Sequence, residues 1–111
     1  MKIDVEGFEL RVLRGADRIL RTDRPGLFIE LHPAMLRRNG SSMGEVIAHL
    51  ADLGYGFSYH LFSPPRARGF VRRLSQRYFA PTPRRFDSLG VALSNLPRNA
   101  EQLHVVALPL R

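Results

Sequence analysis

Hydrophobic and polar residues first alternate and then change period along this chain. Residues 1–5 alternate and run into Gly7, the pattern of a strand that ends in a sharp turn. From Phe8 to Arg21 the period becomes helical, with Val12, Leu13, Ala16, Ile19 and Leu20 forming an apolar face. Arg11, Arg14, Arg18 and Arg21 share a second face, which reads as solvated helix surface, and Asp17 stands four residues before Arg21 in the favourable order for a pair. Pro25 and Gly26 break the helix, and Leu27 to His32 form a mostly apolar strand closed by Pro33. Residues 34–40 read as a loop with at most one helical turn. Ser42 with Glu45 three residues on is a capping box, opening a helix that turns Val46, Ile47, Leu50 and Leu53 inward and stops at Gly54. Tyr55 to Phe62 reads as a third strand with alternating aromatics.

Strand, helix, strand, helix, strand is the order of an α/β layered sheet with parallel strands and right-handed crossovers. Beyond Pro64 and Pro65 the pattern predicts a short basic helix over Phe70 to Phe79, an extended piece over Leu89 to Leu93, and a last strand over Leu103 to Leu108. With 111 residues the chain has room for one small domain.

Composition removes several classes of chemistry. There is no cysteine, which excludes disulfides, thiolate catalysis and thiolate-bound zinc. No apolar run reaches the roughly 18–20 residues of a membrane span, and acids interrupt the start before a signal peptide can form. A cytoplasmic location is the expectation. The net charge of +7 comes from arginine, since Lys2 is the only lysine. No acid lies between Asp52 and Asp87, while Arg66, Arg68, Arg72, Arg73, Arg77, Arg84 and Arg85 do. That stretch, with Phe70, Tyr78, Phe79 and Phe86 interleaved, is the basis of an alternative function: a nucleic-acid or anionic-membrane module through residues 64–86. The same aromatics form the inner face of a short helix, which is the preferred reading, so nucleic acid is not the expected partner.

Candidate chemistry gathers at two strand ends. In open parallel sheets ligands bind outside the carboxyl ends of the strands. The first strand delivers Asp4 and Glu6 there, and the second delivers Glu30 and His32. Each pair is spaced by two, which places its members on one face of a pleat. If the strands are neighbours, three carboxylates and an imidazole meet, a combination suited to taking a proton from a hydroxyl. A divalent cation could neutralise the same cluster, although no metal is assigned.

The run Lys2-Ile3-Asp4-Val5-Glu6-Gly7-Phe8-Glu9, then Val12-Leu13-Arg14-Gly15-Ala16, resembles the central signature of FkbM-type methyltransferases. Glu30-Leu31-His32 and Leu53-Gly54-Tyr55 continue the match over residues 1–62, and Leu103 to Pro109 is similar to the family's last strand. The resemblance implies a Rossmann-like, class I methyltransferase sheet. In it residues 1–5, 27–32 and 55–62 would be the fourth, fifth and sixth strands, and residues 103–108 an antiparallel seventh. The fold expected is therefore a partial doubly wound α/β sheet, mostly parallel, in which residues 1–111 are the C-terminal part of one domain and residues 63–100 a variable basic insertion. The implied activity is methyl transfer from S-adenosylmethionine to a hydroxyl of a sugar or natural product. Asp4, Glu6 and His32 would be catalytic and Glu30 substrate-binding. Gly7 would let the turn approach cofactor or substrate, and Gly15 would let the helix pack close to the sheet. The glycine-rich cofactor loop of the family's earlier half has no counterpart here, so the implied partners are a small-molecule or glycan hydroxyl and either a separately encoded first half or another copy of the chain. A gene remnant without function is the remaining alternative.

Overall fold

The computed structural model describes residues 1–61, 83–96 and 102–111. Strand β1 is Lys2–Ile3 alone. It is short because Glu6 and Gly7 take φ of +49° and +98°, turning the chain out of the extended region. Helices α1 (Glu9–Gly15) and α2 (Asp17–Thr22) replace the single helix expected there. Their axis is nearly continuous, since Ala16 N–H donates to Val12 O at 2.9 Å and Leu20 N–H to Ala16 O at 3.0 Å. Ala16 N–H also reaches Leu13 O at 3.1 Å, a shared bond that tightens the turn and separates the helices. Leu10, Leu13 and Leu20 are buried, whereas Val12 and Ile19, expected inward, are exposed. The buried stripe is turned toward Leu10, which the expected face did not include. Arg11, Arg14, Arg18 and Arg21 are exposed, and Arg21 donates to Asp17 at 2.7 Å.

Strand β2 (Leu27–Leu31) is followed by α3 (Pro33–Arg38), where the pattern predicts a loop. Pro33 suits the first helical position, having no N–H to leave unpaired. In α4 (Met43–Asp52) the Ser42 side chain accepts from the Glu45 amide, the cap that the sequence signals. Strand β3 (Tyr55–Leu61) comes next. Strand β4 (Arg84–Phe86) has no counterpart in the sequence pattern, and Leu89–Ser94 is a helix, α5, where an extended piece is expected over Leu89 to Leu93. The i to i+4 bond from Ala92 N–H to Ser88 O and the burial of Ala92 favour the helix there. The helix expected over Phe70 to Phe79 lies outside the described residues. Strand β5 is Leu103–Pro109.

The five strands form one mixed sheet in the order β1-β2-β5-β3-β4. β1 pairs parallel with β2, and β5 is antiparallel to both β2 and β3, as β4 is to β3. The expected antiparallel last strand is present, but the expectation of a mostly parallel sheet is corrected. β1, β2 and β3 run the same way, yet β5 enters between β2 and β3, so β1–β2 is the only parallel pair among the described residues. One face of the sheet, with Ile3, Ile29, Leu31, Tyr59 and Val105, joins the leucines of α1, α2 and α4 in a single core. Arg24 ties the ends of this layer together, donating to the carbonyls of Leu53, Gly54 and Leu110 at 3.1–3.2 Å. No helix among the described residues is long and apolar enough to cross a membrane.

Candidate active site

The parallel register sets Lys2 beside Phe28 and Ile3 beside Ile29, so Asp4, the residue after β1, comes level with Glu30 near the end of β2. Lys2 Nζ lies 3.2 Å from Glu30 Oε1 and 3.6 Å from Asp4 Oδ2. The hydrogen bond and charge of Glu30 raise the Lys2 pKa above its ordinary value against an opposing desolvation, and Asp4 adds less in the same direction as Glu30. His32 follows β2 as the residue capping α3. Asp4, Glu30 and His32 each present a donor atom within 4.8 Å of the others. Two carboxylates and an imidazole at that spacing could share a cation, and the Lys2 ammonium is the positive charge seated on two of them.

Glu6 does not join this group. Because β1 ends at Ile3 and Glu6 sits in the turn at positive φ, the two-residue spacing from Asp4 does not put both on one pleated face. Glu6 instead lines a neighbouring depression of about 240 Å³ with Phe8, Met35, Arg38 and Asn39.

Two residues left out of the sequence-derived site belong beside it. Glu9 is completely buried. Its Oε1 accepts from the Gly7 amide at 3.0 Å and lies 3.4 Å from His32 Nδ1, while Oε2 has no hydrogen-bond partner among the described residues. The available signal was an acid in the first turn of a helix, which capping already explains. The second is His104 on β5, level with Glu30, its Nε2 3.8 Å from Glu30 Oε1 and its ring 5.5 Å from that of Phe28. Burial lowers the His104 pKa, and the Glu30 carboxylate opposes that shift. Nothing in the local sequence signals which strand β5 will join.

Gly7 is the pivot of the corner. A Cβ there would lie 2.7 Å from Met35 backbone and side-chain atoms and from Asn39 Nδ2, so what the turn approaches closely is helix α3. The expected close packing at Gly15 is not found, since an added Cβ would meet nothing within 4 Å among the described residues.

A nucleotide-sized cofactor needs a cleft of roughly 300–1,000 Å³. The two depressions beside this corner, about 240 and 160 Å³, fall below that range. Arg66 to Arg77, the heart of the alternative nucleic-acid or membrane reading, lie outside the described residues. Of that stretch, Arg84 donates to Asn95 and Arg85 to Asp87, both at the surface.

The family model of the methyltransferase FkbM domain matches residues 1–57, just over half of the 111-residue chain, a span that holds Asp4, Glu6, Glu9, Glu30 and His32 but not His104. No curated protein and no solved structure matches the chain at a significant level.

Proposed function

This chain belongs to the FkbM methyltransferase family, and from that premise we propose that the corner of Asp4, Glu30 and His32 receives an acceptor hydroxyl and removes its proton during methyl transfer. The observation that carries the reading is the approach of those three donor groups to within 4.8 Å at the ends of two adjacent parallel strands. Asp4 and Glu30 can accept hydrogen bonds from hydroxyls, and Lys2, between them, can donate to an acceptor oxygen. A polyhydroxylated acceptor, a sugar or a glycosylated natural product, supplies such groups in the density that the corner can use. His32 Nε2 takes the proton of the reacting hydroxyl, which leaves the oxygen with the electron pair it needs as a nucleophile. Glu6, in the depression alongside, contacts the remainder of the acceptor.

The proposed donor is S-adenosylmethionine. The order β1-β2-β5-β3, with β5 antiparallel, supports reading the sheet as the later half of a doubly wound, Rossmann-like domain.

The test is methyl transfer by the full chain from S-adenosylmethionine to a panel of mono- and oligosaccharides, read by mass spectrometry. O-methylated product is expected, with its rate reduced about a hundredfold or more in His32→Ala, the scale of a lost general base. Methylation on nitrogen, or a rate that His32→Ala leaves unchanged, would rule the reading out.

A further inference from the structure

A buried carboxylate that no lysine or arginine neutralises is costly, and the energetics require something to have settled it there. Glu9 is such a group: fully buried, it makes no ion pair with lysine or arginine among the described residues. Its contacts are the Gly7 amide and the His32 ring. Helix capping accounts for the first and not for the second.

We propose that Glu9 is a positioning residue that holds His32 in the tautomer carrying its proton on Nδ1, leaving Nε2 as the base. The inference rests on the reading of His32 as the group that takes the acceptor's proton. An ionised carboxylate can only accept hydrogen bonds. Oε1 already accepts from the Gly7 N–H, so its 3.4 Å approach to His32 Nδ1 is attractive only if that nitrogen bears the hydrogen. Which ring nitrogen is protonated is set by the bond made by the other. With Nδ1–H directed at Glu9, the Nε2 lone pair is left for an incoming proton. When Nε2 takes it, the ring becomes an imidazolium against a carboxylate, and the pair is stabilised at the moment the charge appears.

The surrounding backbone keeps the two groups in place. Gly7 is wedged against Met35 and Asn39 of the α3 end, which fixes the amide that holds Oε1. His32 is anchored by its own carbonyl, which accepts from the Leu36 amide at 2.9 Å as the first bond of α3. A turn after β1 and a helix start after β2 are thereby joined through one oxygen atom.

The test reads the tautomer directly, by nitrogen-detected NMR of the His32 ring in the full chain at about pH 8, above the ordinary imidazole range. The wild-type ring is expected as the Nδ1–H form. Glu9→Leu removes the acceptor and shifts the ring toward Nε2–H, whereas Glu9→Gln keeps an acceptor oxygen and retains Nδ1–H. A wild-type ring in the Nε2–H form or doubly protonated overturns the proposal, as does a folded Glu9→Leu chain with the tautomer unchanged. Should Glu9→Leu fail to fold, the wild-type and Glu9→Gln spectra still decide. In the methyl-transfer assay Glu9→Leu is expected to lower kcat by about 10–100-fold, the usual scale for a lost orienting partner, and to add nothing in a chain already carrying His32→Ala. If His32→Ala is fully active the base reading fails by itself, and the tautomer still tells whether Glu9 orients the ring.

Discussion

Neighbouring rungs of the same three strands carry opposite chemistry on the two faces of the sheet. On one face Ile29 stands beside Val105 and Val105 beside Tyr59, all buried under the helical layer. One residue further along, on the other face, Glu30 stands beside His104 and His104 beside His60, with Arg85 next in line on β4. The first row is a core and the second a chain of ionisable groups, separated only by the two-residue pleat. The contrast teaches that the strands anchoring the hydrophobic layer also fix the spacing of the polar row. Glu30 does not have to be held by a loop to reach Asp4 and His32. A site on strand ends inherits the rigidity of the core behind it.

The largest effect expected from this difference is on stability. Ile29→Ala removes a completely buried side chain and should cost roughly 2–5 kcal/mol, whereas Phe28→Ala, half-buried on the opposite face, should cost clearly less. Urea unfolding of both variants checks the ranking, and equal losses would mean that both faces are packed alike.

A smaller effect is expected from pH. Burial holds His104 below its ordinary value of 6.5, so just under that pH the unfolded chain binds a proton that the folded chain resists. This contribution to stability is complete above about 6.5 and is lost as the pH falls below it. His104→Gln should flatten that part of the profile in denaturant titrations at a series of pH values. A slope unchanged by the substitution would remove His104 from the explanation.

The smallest effect should come from Lys2→Met. The ammonium is well exposed, and its attraction to Glu30 and Asp4 is screened by solvent. Any loss of stability measured in low salt should vanish at about 1 M salt, where the screening length falls to about 3 Å. A loss that persisted would show the polar row to be more enclosed than its exposure indicates.

Much of the fold was legible because its signals are local. The Ser42–Glu45 cap announces α4, the Pro25-Gly26 break and Pro33 bracket β2, and the aromatic alternation marks β3. Within the candidate site, the closeness of Asp4, Glu30 and His32 followed from strand ends and the adjacency of two strands. The misses share a cause. Glu6 shares the pleat of Asp4 only if alternation continues through residue 6, and backbone at positive φ ends it before then. Leu89 to Leu93 reads as an extended piece because so few residues cannot show a period, and burial of Ala92 favours the helix that is found there. Glu9 does not stand out in the sequence, since an acid in the first turn of a helix has a sufficient local role in capping.

Taken alone, the amino-acid order determined where β2, β3, β5 and α4 form and which ionisable groups stand near the ends of β1 and β2, because propensity, periodicity and capping act between residues a few positions apart. Only the tertiary structure decided that β5 enters between β2 and β3, that His104 comes level with Glu30, and that Glu9 meets His32. Those contacts join residues 23 or more positions apart, as with Glu9 and His32. No local preference specifies such a pairing. It follows from which apolar faces are buried together once the layers close, and the polar groups behind those faces are carried along.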